Sequence, residues 1–257
     1  MTAIAQIWQL ALRGFMRTLR QPGQLFFALV FPLVFLAVVA SGLDRAETLP
    51  GFPDESYVDF MLAVPFIHGS LFTAINAAVE LGRDIETGFL NRLALTPARN
   101  IALVLGHLAG AVLLGLFQYC VYLAAALVAG ANFEAGWAGV PVLFALAAIG
   151  AVAMGAAGTT IALRSGSSEA VQGIFPVFFV LLFLPSMNIP RDLIEADWFR
   201  WIATGNPVSY LIEGIRSLVI WGWDAEALAL GFVTALGLSV VFLTTTAVAF
   251  RERMTRT

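Results

Sequence analysis

Residues 24–43 read QLFFALVFPLVFLAVVASGL, a stretch without a single charge. Crossing the hydrocarbon core of a bilayer takes about 20 predominantly apolar residues as a helix. The stretch therefore predicts a membrane-spanning helix, kinked at Pro32 in a way that spanning helices accommodate. Outward from it, comparable runs predict further spans at about 58–79, 101–129, 137–163, 170–188 and 226–250. Composition agrees. The chain has 257 residues, 60% hydrophobic and 12% charged, whereas a soluble domain carries about 25% charged residues. The predicted fold is all-α, an integral membrane protein of six transmembrane helices in one transmembrane domain over 1–257.

The segments between the spans are short. Residues 3–20 predict an amphipathic helix: Ile4, Ile7, Trp8, Ala11, Leu12, Phe15 and Leu19 recur at helical spacing, with Gln6, Gln9, Arg13, Arg17 and Arg20 opposite. Such a helix lies in the membrane interface. It is too long and too patterned for the n-region of a signal peptide. Pro22 and Gly23 end it. Residues 44–57 are acidic, with Asp44, Glu47, Asp54 and Glu55, and Asp59 follows. Residues 80–100 are the longest polar stretch. In 189–222, tryptophans suit the headgroup layer. There Asn206 is placed to cap a helix with Pro207 at its first position. That helix, about 207–221, is too short to span and reads as re-entrant or interfacial. Glu213 and Arg216 are spaced to pair along it.

Arginines set the orientation. With both termini, 80–100 and 164–169 on one side, that side holds ten arginines and five acids; the other holds four arginines and twelve acids. The asymmetry favours six spans with both termini in the cytoplasm, as a multi-pass protein of a prokaryotic plasma or inner membrane.

All 14 basic residues are arginines. A Walker A loop needs a lysine for the β- and γ-phosphates, and Schiff-base catalysis needs one too. Both are excluded. The one cysteine, Cys120, rules out an internal disulfide. No G-x-S-x-G or H-E-x-x-H pattern occurs. His68 and His107 lie in separate spans, where each can face a pathway or hydrogen-bond a backbone group. The expected span cores hold no ionisable residue besides them, with Asp59 and Glu80 at span ends; this argues against a carboxylate proton relay. Gly106-x-x-x-Gly110, and Gly150, Gly155 and Gly158, allow close helix approach. Phe175, Phe178, Phe179 and Phe183 gather on the fifth span, where they can line a path, face lipid or pack.

Ile85, Phe89 and Leu93 recur every four residues, with Asn91 and Arg92 beside them. A short helix with one apolar and one charged edge suits docking into a partner's groove; a solvated loop cap is the alternative.

Two motifs resemble a known family. Glu86-Thr87-Gly88-Phe89-Leu90-Asn91-Arg92-Leu93-Ala94-Leu95-Thr96-Pro97 resembles the E-x-G-T-L-E-R-L-x-x-T-P element of ABC-2-type permeases. Here Thr87-Gly88 inverts the usual Gly-Thr, and Asn91 stands where an acid is common. Asn206-Pro207-Val208-Ser209-Tyr210, followed by Glu213, Ile215 and Arg216, resembles the family's N-P-x-x-Y-x-x-x-x-x-R element. The likeness is to the drug-export, daunorubicin-resistance branch and covers essentially the whole chain.

The resemblance implies a permease without its own catalytic or ATPase residues. It implies pairing with a second permease chain, identical or homologous, among membrane lipids, and service by a separate ABC ATPase subunit that binds ATP and Mg. Arg83, Asp84, Glu86, Thr87, Gly88, Phe89, Arg92 and Leu93 would form the coupling segment. Phe66, Phe72, Asn76, Phe175 and Phe179 would line the substrate path. Asn206, Pro207, Tyr210, Glu213 and Arg216 would shape the outer exit, anchored by Trp198, Trp201 and Trp221. The cargo would be a hydrophobic or amphipathic small molecule or lipid moved outward; a lipid-linked glycan is the alternative cargo. From another class, a membrane-embedded lipid-modifying enzyme would need Asp44, Asp54 and Asp59 as metal ligands, yet no tight motif joins them. A membrane-anchored assembly or sensor subunit would not need the 80–100 element. Nothing points to nucleic acid or a resident metal.

Overall fold

The computed structural model describes residues 3–53, 56–89, 100–183 and 187–256. Its helices are α1 Ala3–Leu19, α2 Pro22–Gly42, α3 Tyr57–Met61, α4 Ala63–Glu86, α5 Asn100–Val128, α6 Gly136–Ser165, α7 Ser168–Phe183, α8 Asp197–Gly205, α9 Pro207–Ile220 and α10 Ala225–Arg256. Short 3-10 turns lie at Asp44–Thr48 and Arg191–Leu193. Among the described residues there is no strand. In hydrocarbon, a helix satisfies its own backbone while an open sheet edge cannot.

Among the described residues, five stretches are long and apolar enough to cross a bilayer: Pro22–Gly42, Tyr57–Glu86, Leu105–Val128, Gly136–Ser165 and Ala225–Arg253. Helix α7, where the fifth of six spans was expected, is described over 16 residues, and 184–186 lie outside the described residues. Helix α2 continues through Pro32.

Helix α4 is the axis of the bundle. It packs against α2, α5, α6, α7 and α9, and most of its residues are buried. Polar side chains join it to its neighbours at mid-depth. Ser70 Oγ and Tyr119 Oη lie 2.5 Å apart, and Tyr119 donates to the Ala147 carbonyl at 3.1 Å. Thr73 donates to Gln118 at 2.9 Å. Where lipid removes the usual hydrophobic drive between helices, such bonds and close packing hold them together. On α6, Thr160 and Thr246 of α10 lie 2.9 Å apart, and Thr246 also donates to the Ala156 carbonyl.

The glycines act as close-approach points. A Cβ on Gly158 would meet Ala78 Cβ at 2.8 Å, so α6 touches α4 there. Gly106 and Gly110 of α5 receive α1: their Cβ atoms would meet Leu10 at 2.6 Å and the Ala11 carbonyl at 3.1 Å. The small-residue pair therefore seats the amphipathic helix against a spanning one.

Two boundaries differ from expectation: the last helix runs to Arg256 where about 250 was expected, and the second span runs past its expected end. The second span was expected to end near residue 79, yet the helix continues to Glu86. Glu80 and Asp84 lie within the added turns because arginines and a histidine from neighbouring helices neutralise them. The ending has a local cause. Gly88, at φ +68°, takes the left-handed conformation that terminates helices, and its N–H bonds the Ile85 carbonyl at 3.0 Å.

Candidate functional site

At the end of the bundle that carries the 86–97 motif, α1, α4, α5 and α7 converge on a few charged side chains. Arg13 donates to both oxygens of Asp84 at 3.1 Å. Arg17 reaches Asp84 at 3.3 Å and Glu80 at 3.7 Å. His107 Nε2 of α5 lies 3.3 Å from Asp84. Asp84 itself is buried. The guanidinium of Arg13 also lies over the Phe89 ring, 4.1 Å from its centroid. Asp84 thus ties three helices to one point, two residues before the helix ends.

Glu86 reaches the other way. Its carboxylate accepts from the Ser168 N–H at 2.7 Å and from the Ser168 hydroxyl at 3.0 and 3.1 Å. A carboxylate at the first residue of α7 meets unpaired N–H groups and the positive end of the helix dipole. A Cβ on Gly82 would meet the Ser168 backbone at 2.7 Å, so α4 and α7 touch through backbone. Thr87 donates to the Arg83 carbonyl at 2.9 Å.

Of the eight residues expected to form the coupling segment, Arg83, Asp84 and Glu86 are in α4, Thr87 and Gly88 form its terminating turn, and Phe89 follows. Arg92 and Leu93 lie outside the described residues. One short helix carrying Ile85, Phe89 and Leu93 together is not what forms: Ile85 belongs to α4, and the Gly88 turn separates it from Phe89. Four-residue spacing cannot register that break, because periodicity ignores φ.

The expected path residues fall in different places. Phe66 is fully buried and packs on Tyr119, Tyr122 and Phe144, so it belongs to the core of this chain and not to an open path. Asn76 borders a gap of about 20 Å³ between α1, α4 and α5. Phe72 and Phe179 join an aromatic cluster across α2, α4 and α7. Phe72 lies 5.4 Å from Phe27 and 5.8 Å from Phe31; Phe179 lies 5.8 Å from Phe31. His68 sits among Phe31, Phe35 and Phe179 at 5.4–6.4 Å. Phe27 is exposed, and Phe31, Phe35 and Phe179 are half-buried. The Phe175 side chain lies outside the described residues.

At the opposite end, the second motif builds a clasp. Asn206 accepts from the Val208 N–H at 2.9 Å and Pro207 opens α9, as the sequence predicts. Tyr210 donates to the Thr204 carbonyl at 3.0 Å, fastening α9 to α8. Arg216 is buried; it donates to the carbonyls of Phe60 at 2.9 Å and Met187 at 3.1 Å and stacks 3.6 Å from the Phe60 ring. Glu213 forms a close ion pair with Arg191, from the loop before α8, and its charge also acts on Arg216 one turn along α9. Helix α9 packs among α4, α6 and α10. Trp137, Trp198, Trp201, Trp221 and Trp223 are exposed near this end.

Sequence reasoning missed Arg13, Arg17 and His107 as partners of Asp84, and Arg17 as the partner of Glu80. It assigned the arginines to the polar face of a surface helix. Their four-residue spacing matches that of Glu80 and Asp84, but nothing in the sequence aligns two helices that far apart.

The fold and its two motif-bearing ends define a polytopic all-α membrane protein. Residues 5–220 match the ABC-2 type transporter family, and the chain belongs to it. A Mycobacterium tuberculosis protein named for doxorubicin resistance, the ABC transporter permease DrrC, is 25% identical over 89% of this chain and 82% of its own length. The transport permease ycf38 of Porphyra purpurea is 28% identical over 83% of this chain and 73% of its own.

Proposed function

We propose that this chain is the permease subunit of an ATP-driven exporter, moving a hydrophobic or amphipathic small molecule or lipid outward across a prokaryotic plasma membrane. A separate ABC ATPase subunit holds ATP and Mg, and a second permease chain completes the path. Both termini and the turn at Thr87–Gly88 face the cytoplasm.

One observation carries this reading: the most enclosed helix, α4, ends directly in the motif-bearing turn, with Asp84 and Glu86 tying it to α1, α5 and α7. A push delivered at 86–93 would move the axis of the bundle and three neighbours together. Nucleotide can drive transport only if its binding energy differs between two states of the permease, and a stiff linkage from the docking turn to the core transmits that difference. Phe27, Phe31, Phe72 and Phe179, where α2 and α7 meet on α4, are the path surface this reading favours. The relative named for doxorubicin resistance supports export of an aromatic amphiphile.

The test is isolation of the tagged protein from native membranes in mild detergent, with companions identified by mass. The expected result is a co-purifying ABC ATPase, lost when 86–93 is scrambled. An intact permease that brings down no ATPase even after cross-linking overturns the proposal.

A further inference from the structure

At the end of the bundle opposite the Thr87–Gly88 turn, a cavity of about 560 Å³ lies between the α2–α3 loop, the loop before α8, and α8, α9 and α10. Small-ligand pockets span roughly 300–1,000 Å³. Its lining carries both signs of charge: Arg191, Arg200 and Arg216 against Asp192, Glu213, Asp224 and Glu226. Arg191 and Glu213 neutralise each other. Among the described residues, Arg200, Asp192, Asp224 and Glu226 form no ion pair; Arg200 gives its Nε and one Nη to the Ile194 carbonyl, which leaves its charge and the second Nη for a ligand. Asp224 uses one oxygen to accept the N–H groups of Glu226 and Ala227 at 2.9 and 3.1 Å, leaving the other for a ligand.

Depth narrows the ligand. The candidate last span begins at Ala225, so Asp224 and Glu226 stand at the end of a helix longer than the roughly 20 residues that cross the hydrocarbon core, on the headgroup side of it. Trp221 on the cavity wall and Trp223 beside it are exposed, as indoles are at that layer. Leu230, one turn farther along α10, lines the cavity, and Val233 continues the exposed apolar face into the bilayer.

We propose that this cavity binds the headgroup of a zwitterionic phospholipid from the leaflet facing away from the coupling turn. The phosphate meets Arg200, with the Arg216 charge behind it. The ammonium meets Asp192, Asp224 and Glu226. The acyl chains follow Leu230 and Val233. A wholly anionic headgroup would face three carboxylates, and a simple cation would face two guanidinium groups; only a ligand with both charges matches the wall. The lipid measurement needs neither an identified cargo nor the ATPase partner.

The experiment is native mass spectrometry of the full chain released from nanodiscs of equimolar phosphatidylethanolamine, phosphatidylcholine and phosphatidylglycerol. The expected result is retention of the zwitterionic lipids about tenfold over phosphatidylglycerol, the ratio that one charge-assisted contact supports. D224N/E226Q should erase that preference; asparagine still caps the helix, so only charge is lost. Arg200→Gln should lower retention of all three lipids. Equal retention of phosphatidylglycerol by the unmodified protein overturns the proposal, and does so even if a variant fails to fold. Undiminished preference in folded D224N/E226Q overturns it as well. Retention abolished by soluble phosphoethanolamine at equal concentration would make the site one for a free zwitterion and overturn the lipid assignment.

Discussion

Asp84→Asn should loosen α1 from the bundle while leaving the bundle folded. The substitution keeps the side chain's shape and removes its charge. Asp84 is 5% exposed and is shared by Arg13, Arg17 and His107 at 3.1–3.3 Å. Breaking a fully buried ion pair costs about 3–5 kcal/mol, whereas an exposed pair contributes about 0–1 kcal/mol. The Arg13 and Arg17 side chains are 40% and 34% exposed, so once released they can turn to water or headgroups. The expected cost of detaching them is therefore intermediate, about 2 kcal/mol. That corresponds to roughly a thirtyfold rise in the undocked population of α1. Thr18, buried on α1, can be replaced by cysteine of nearly equal size in a Cys120→Ser background, and its maleimide labelling rate reports the undocked fraction. The rate should rise about thirtyfold with Asp84→Asn. An unchanged rate would mean that Leu10 and Ala11 packing on Gly106 and Gly110 holds α1 by itself, and would refute the assignment of Asp84 as the tie.

Gly82→Ala drives a methyl group into the Ser168 backbone at 2.7 Å; the expected loss is about 1–3 kcal/mol, seen as a lower unfolding temperature in detergent. Gly88→Pro needs φ near −65° where the chain holds +68°, and it removes the N–H that bonds Ile85; it should abolish transport while membrane insertion and abundance stay normal, and normal transport would remove the coupling role. Arg216→Met leaves the Phe60 and Met187 carbonyls without a donor, at about 1–3 kcal/mol for each. Its yield and melting temperature should fall, with Arg216→Lys between it and the unmodified protein because an ammonium lacks the planar fork.

Some helix ends were legible from local chemistry. Asn206 and Pro207 start α9 because a side-chain acceptor and a missing N–H suit a helix's first turn in any context. Gly88 stops α4 for an equally local reason, yet the four-residue spacing of Ile85 and Phe89 pointed to a helix running through it. The candidate site was legible only in part. The 86–89 turn carried a motif, but the Asp84 cluster joins side chains that are distant in sequence, and Arg191 joins Glu213 from a loop that only packing brings to α9.

Apolar runs without charge determined by themselves that this protein lives in a bilayer as helices, and roughly where five of those helices begin and end. Only the tertiary structure decided which of them is central. An 18-residue window of Tyr57–Glu86 has a mean hydropathy of 1.6 and 83% of it is buried, while the corresponding window of Ala225–Arg253, at 2.2, is 17% buried. In water the more apolar helix would take the core. In lipid the surroundings are as apolar as the interior, so hydropathy no longer sorts inside from outside. The centre goes instead to the helix whose small and polar side chains need other helices: Gly69 against Tyr122, Ser70 against Tyr119, Thr73 against Gln118, and Asp84 against two arginines and a histidine.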